Sequence, residues 1–121
     1  MLFRSAICYG VVDSANRVNA KAIICSTISG KTAKKISNYR PSSQIIAISP
    51  DEKTVSGLTI NYGITPIKVP MFYTTDEILK VSVNEAKKIL NLNAKDKIVI
   101  AGSFPIKEVD YTNFMKIEEI K

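Results

Sequence analysis

The residues best placed to do chemistry are the run Ser26-Thr27-Ile28-Ser29-Gly30-Lys31-Thr32. Thr27, Ser29 and Thr32 supply hydroxyl hydrogen bonds, Gly30 lets the backbone come close, and Lys31 adds a full positive charge. That set suits the oxygens of a phosphate group. The same residue types also serve, with no ligand, as a plain helix cap and turn, because Ser-Gly is common where a strand gives way to a helix.

The flanking segments decide how such a loop is held. Ala22-Ile23-Ile24-Cys25 reads as a buried strand, and Lys31 to Tyr39 carries apolar residues at helical intervals. The loop therefore sits on a strand-to-helix turn. A helix starting there turns backbone N–H groups and the positive end of its dipole toward an anion.

Charge points the same way. The first forty residues hold Arg4, Arg17, Lys21, Lys31, Lys34, Lys35 and Arg40 against Asp13 alone, whereas residues 41–121 balance ten basic with ten acidic side chains. The net charge of +6 belongs to the segment around the loop. Such a field draws in a small phosphorylated ligand, within a screening length of about 8 Å at physiological salt.

A length of 121 residues and 45% hydrophobic content with 7% aromatics predict one domain, residues 1–121, with an aliphatic α/β interior. No apolar run is long enough to span a bilayer, and Arg4, Asp13 and Arg17 interrupt any signal-like stretch, so a cytoplasmic protein is expected. Cys8 and Cys25 read as small buried apolar residues, without a histidine or third cysteine to build a metal site. The basic residues are not interleaved with aromatics, which argues against nucleic-acid binding.

Ile7, Val11, Val12, Ala15 and Val18 predict a first helix over residues 5–18. Aliphatic runs at Ala22–Cys25, Gln44–Ser49, Thr65–Val69 and Lys97–Ala101 predict buried parallel strands. Between them, Val55, Leu58 and Tyr62 predict a helix over 51–62 that ends at Gly63 in a left-handed cap. Thr74 and Glu77 fit a capping box for a further helix, with Leu79, Val83, Ala86 and Leu90 as its apolar stripe and Lys80, Lys87 and Lys88 outward.

Only about ten residues separate the fourth strand from the run Phe114 to Ile120, and Pro105 lies among them. A parallel crossover needs more. The last strand is therefore expected to return antiparallel as an edge, with Lys116, Glu118 and Lys121 outward. In such a three-layer α/β domain ligands bind beyond the carboxyl ends of the strands where strand order reverses. If strands one and four are neighbours there, the loop Thr27–Thr32 faces the loop Gly102–Thr112, adding Ser103, Lys107, Tyr111, Thr112 and Asn113 as polar candidates. A solvated hairpin loop is the competing reading.

Several motifs are excluded. Gly30-Lys31-Thr32 resembles the end of a nucleotide-binding P-loop, but Cys25 stands where that motif needs its first glycine. No Gly-rich dinucleotide fingerprint follows the first strand, and with no histidine the usual base of nucleophile systems is missing.

The chain does resemble a known family, the C-terminal domain of pyruvate kinase, over nearly its whole length. The matching motifs are Thr27-Ile28-Ser29-Gly30-Lys31-Thr32-Ala33, Ser37-Asn38-Tyr39-Arg40-Pro41, Gly63-Ile64-Thr65-Pro66, and Ala101-Gly102 through Thr112-Asn113-Phe114-Met115-Lys116-Ile117. The resemblance implies a five-stranded, mostly parallel sheet of order 3-2-1-4-5 with the last strand antiparallel. It also implies an allosteric site for a sugar bisphosphate, sugar monophosphate or nucleotide, and a place in a homo-oligomer.

Carried over by motif, Thr27, Ser29, Gly30, Lys31 and Thr32 fall in the family's effector-phosphate loop. Gly102 to Asn113, with Ser103, Lys107, Tyr111 and Thr112, falls in its second effector loop. There the chain departs from the pattern. Asp110 and Lys107 replace common glycines, and an acid repels a phosphate unless Lys107 or Arg17 neutralises it. The catalytic barrel that binds phosphoenolpyruvate, ADP and the Mg²⁺ and K⁺ ions in pyruvate kinase is missing, so this domain alone is expected to hold no catalytic residue, metal or cofactor. The readings are thus a non-catalytic regulatory domain that binds a phosphorylated metabolite and self-associates, or an assembly domain with a vestigial phosphate loop. A small phosphatase or isomerase is a third, with no base and nucleophile pair to support it.

Overall fold

The computed structural model describes residues 2–61, 63–71, 74–102 and 114–120. They form, in chain order, α1 (Leu2–Arg17), β1 (Ala22–Ser26), α2 (Lys31–Asn38), β2 (Gln44–Ser49), α3 (Glu52–Leu58), β3 (Ile64–Lys68), α4 (Thr75–Ile89), β4 (Lys97–Gly102) and β5 (Phe114–Glu119). The strands make one sheet of order β3-β2-β1-β4-β5. β1 to β4 run parallel, and β5 pairs with β4 antiparallel, Ile98 opposite Glu118 and Gly102 opposite Phe114. β5 is thus the antiparallel edge strand that the short connection before it requires.

The two-residue period of the strands sorts the core into two layers. Ile23 and Cys25 of β1, Ile45 and Ala47 of β2, and Val99 and Ala101 of β4 face α1, α2 and α3, where they meet Val11, Ala15, Ile36 and Leu58. Ala22, Ile24, Ile46, Ile48, Ile98 and Ile100 face the other way, onto Ile78 and Ala86 of α4. Both sides of the central strands are buried, which is why these strands read as continuous apolar runs and not as alternation. Truncating one of these isoleucines to alanine should cost about 2 to 5 kcal/mol. β3 is an edge strand, and there Pro66 is tolerated because the missing N–H need not serve a second neighbour.

Sequence and structure differ in four places. The third helix stops at Leu58 with Thr59 as its cap, and Gly63, although left-handed at φ 76°, belongs to the turn entering β3. Its carbonyl accepts from Ile45 N–H at 3.2 Å, so the turn is anchored to β2. Tyr62 lies outside the described residues. The third strand is displaced by one residue, to Ile64–Lys68.

In α4 the fully buried line is Ile78, Ser82 and Ala86, while Leu79, Val83 and Leu90 pack on its flank. Ser82 can sit in the core because its hydroxyl donates to the Ile78 carbonyl at 2.7 Å, a pairing that hydropathy does not register. Lys80, Lys87 and Lys88 are exposed as expected, and the capping box is formed.

On β5, Lys116 and Glu118 pair at 3.0 Å but share their face with Phe114 and Ile120, which pack into the α4 layer. The opposite face carries Met115 and Ile117, 39% and 42% exposed, so the edge is partly apolar. Lys121 lies outside the described residues.

Candidate functional site

β1 ends at Ser26 and α2 begins at Lys31, so the loop lies between them at the carboxyl edge of the central strand. β2 and β4 flank β1 on its two sides, which makes this the point where the strand order reverses.

Three interactions shape the loop from its own residues. Thr27 N–H donates to the Ile48 carbonyl at 3.1 Å, extending the β1–β2 ladder by one residue. The Thr27 hydroxyl oxygen, in a nearly buried residue, accepts from Gly30 N–H at 2.9 Å and closes a tight turn. Ser29 Oγ accepts a long 3.4 Å bond from Lys31 N–H. Gly30 occupies the left-handed region at φ 89°, where a side chain is strained, and then accepts from Lys34 N–H at 3.1 Å as the first turn of α2. Thr32 is buried with Ala33 and Ile36 against the sheet, whereas Ser29 and Lys31 are exposed. The five loop candidates therefore split into a buried pair of threonines, a conformational glycine and two outward donors.

The start of this helix differs from its neighbours. α3 is capped by Asp51, whose carboxylate accepts from Lys53 N–H at 3.3 Å, and α4 by Thr74, whose hydroxyl accepts from Glu77 N–H at 3.1 Å. Both also carry acids in the first turn. α2 has Gly30 at the cap position with no side-chain cap, no acid in its first turn, and Lys31 there instead. The dipole's positive end and a lysine coincide in a first turn that carries no acid.

The second candidate loop is described only at its root. Gly102 is the last residue of β4 and stands in register with Ser26. A Cβ at position 102 would lie 3.0 Å from both the Ser26 Cβ and its carbonyl oxygen and 3.2 Å from Phe114. Glycine is required for the two strand ends to meet this closely. Strands one and four are thus neighbours, and both loops leave the same edge. Ser103, Lys107, Asp110, Tyr111, Thr112 and Asn113 lie outside the described residues.

The basic segment divides in three dimensions. Lys31 and Lys34 flank the loop, but Arg17, Lys21 and Arg40 fall at the opposite end of the sheet, because α1 and α2 run antiparallel to the strand between them. Arg17 is also paired there with Asp13 at 3.0 Å. It is not placed to neutralise an acid at the loop. Two cavities, of about 280 and 500 Å³, lie at that far end too, lined by Ser37 and Arg40 among others. They sit against the negative end of the α2 dipole, the wrong end for an anion.

Cys25 is fully buried one residue before the end of β1, and burial together with the nearby Cys8 thiol pushes its ionisation well above the ordinary range. Both cysteines are buried free thiols. Among the described residues no group of three His, Cys, Asp or Glu could hold a metal ion, and no helix is long and apolar enough to cross a membrane.

One participant has no short-range signal. Thr54 of α3 donates from its hydroxyl to the Ile28 carbonyl at 2.6 Å, 26 residues away in sequence. Only the placement of α3 on the same face of the sheet as the loop and α2 brings it there.

The class defined by this architecture is an α/β domain with a mixed five-stranded sheet, three helices on one face and one on the other. The chain belongs to the pyruvate kinase alpha/beta domain family, whose model matches residues 5–118. It is 40% identical over 118 residues to a pyruvate kinase of Clostridium perfringens, covering 98% of this chain and 25% of that protein. Against a pyruvate kinase of Staphylococcus epidermidis it is 40% identical over 113 residues, 93% of this chain and 19% of the relative. The fold superposes with a TM-score of 0.84 on Cryptosporidium parvum pyruvate kinase in complex with ADP, at 30% identity over 98% of this chain and 24% of that one. The chain spans a quarter or less of the length of these relatives.

Proposed function

We propose that this chain is the regulatory domain of a pyruvate kinase, binding a phosphorylated metabolite at Thr27–Thr32 and contributing to subunit assembly. Phosphoryl transfer, with its Mg²⁺ and K⁺ ions, then belongs to a catalytic barrel outside these residues, in a cytoplasmic enzyme. The observation that carries the reading is the start of α2, where an uncapped helix N-terminus, Gly30 in the left-handed region and Lys31 meet at the strand-order reversal. The shared edge of β1 and β4 supports a ligand that spans both loops.

The test is calorimetry with fructose 1,6-bisphosphate, ribose 5-phosphate, glucose 6-phosphate, AMP and inorganic phosphate at fixed ionic strength. One phosphorylated compound should bind selectively. Lys31→Ala combined with Thr32→Ala should weaken it tenfold or more, since each charge-assisted hydrogen bond contributes about 1.5 to 3 kcal/mol. Unchanged affinity in the double variant sinks the assignment.

A second reading, an assembly domain whose phosphate loop is vestigial, has its own support in the edge strand β5, where Met115 and Ile117 leave apolar surface open at the margin of the sheet. It predicts a concentration-dependent oligomer in sedimentation that ignores every metabolite. A monomer at all concentrations removes it.

A further inference from the structure

We propose that Thr54 is a positioning residue for the phosphate loop, holding it in the shape that presents its donors. This rests on the phosphate-binding reading of Thr27–Thr32 for its functional consequence, but not for its structural content. The loop is tied to α3 by the 2.6 Å hydrogen bond from Thr54 Oγ1 to the Ile28 carbonyl. Ile28 stands between Thr27, whose hydroxyl oxygen receives Gly30 N–H, and Ser29, whose hydroxyl oxygen receives Lys31 N–H. Fixing the Ile28 carbonyl fixes the Ile28–Ser29 peptide plane, which lies between those two bonds. The Thr54 methyl lies where a side chain at position 30 would come, 3.3 Å from a Cβ there, so it limits that position to glycine-sized residues. The brace on the loop is the hydroxyl, through Ile28.

The bond has a competitor. Thr54 Oγ1 also lies 3.0 Å from Asp51 Oδ2, the carboxylate group that caps α3, and a hydroxyl has one proton to donate. The shorter contact is to the loop. The loop is consequently coupled to the N-terminus of α3 through a single shared proton, so a change in the loop is felt at α3 and the reverse.

Thr54→Val keeps the shape and the methyl group but removes the hydroxyl; Thr54→Ser keeps the hydroxyl alone. Two readouts separate this inference from the reading it rests on. The first is amide hydrogen exchange without ligand. Gly30 N–H should exchange at least tenfold faster in Thr54→Val than in wild type and Thr54→Ser, with the β2 and β4 amides unchanged. The second is calorimetric affinity for fructose 1,6-bisphosphate and inorganic phosphate. It should fall about five- to tenfold in Thr54→Val and return in Thr54→Ser, a rescue that a general loss of stability does not produce. Unaltered Gly30 exchange in folded Thr54→Val overturns the bracing role. If the wild-type chain binds neither compound, the phosphate reading fails while the exchange experiment still decides the role of Thr54.

Discussion

α2 and α4 start in opposite ways, and the contrast shows how one fold can both close and open a helix terminus. α4 satisfies its own beginning: Thr74 accepts from Glu77 N–H, the Thr74 hydroxyl meets the Glu77 carboxylate at 3.2 Å, and Asp76 and Glu77 answer the dipole. α2 has none of these. Its cap is a glycine in a left-handed turn, its first residue is a lysine, and the bracing comes from Thr27 below and Thr54 beside it. A self-capped terminus stabilises the helix, whereas the start of α2 takes its shape from neighbouring residues and carries no acid to answer the dipole.

The sharpest way to break the contrast is to give α2 the acid that α4 already has. Gly30→Asp and Gly30→Asn carry the same backbone and steric cost, and both residue types tolerate the left-handed region better than other side chains. A carboxylate about 5 Å from a phosphate at an effective dielectric of 20 repels it by about 3 kcal/mol, so Gly30→Asp should bind about a hundredfold more weakly than Gly30→Asn. Equal affinity of the two in calorimetry would mean that the anion does not sit at this terminus.

The contrast also needs conditions in which the strand carrying the loop is not itself titrating. The folded Cys25 thiol stays protonated, because its ionisation is raised by burial, while in the unfolded chain it ionises above about pH 8.5. Unfolding then releases a proton, so the contribution to stability is complete below that pH and declines above it, by up to about 1.4 kcal/mol per pH unit. Chemical denaturation from pH 7 to 10 should show this decline, and Cys25→Ala should flatten it. A wild-type slope no steeper than that of the variant would remove Cys25 as its source.

The smallest expected effect is at the closed terminus. Thr74→Ala should lower stability by about 1 kcal/mol and leave metabolite affinity as it was. A change in affinity would show that the two helix termini are coupled, and the simple contrast would fail.

The elements that could be read from sequence are those whose signal is local. β2 begins and ends where its apolar run does, at Gln44 and Ser49, and the capping box of α4 forms from the two residues that announce it. The loop Thr27–Thr32 was legible because its donors are consecutive. Gly63 and the α4 stripe were misplaced for a common reason: each depends on a partner outside its own segment or on a hydrogen bond that hydropathy omits. Gly63 is tied to Ile45, and Ser82 enters the core by donating to Ile78.

Composition, spacing and the shortness of the last connection were enough to determine an α/β chain, an antiparallel final strand and the place of the strand-to-helix loop Thr27–Thr32. Tertiary structure alone decided which charges stay near that loop. Arg17 and Arg40 are close to it in sequence and at the far end of the sheet in space, because each is separated from it by an element running the length of the fold. Thr54 is distant in sequence and in contact, because α3 lies on the face of the sheet that the loop and α2 share. A loop's own residues are covalent neighbours, but the groups that hold it are chosen by packing.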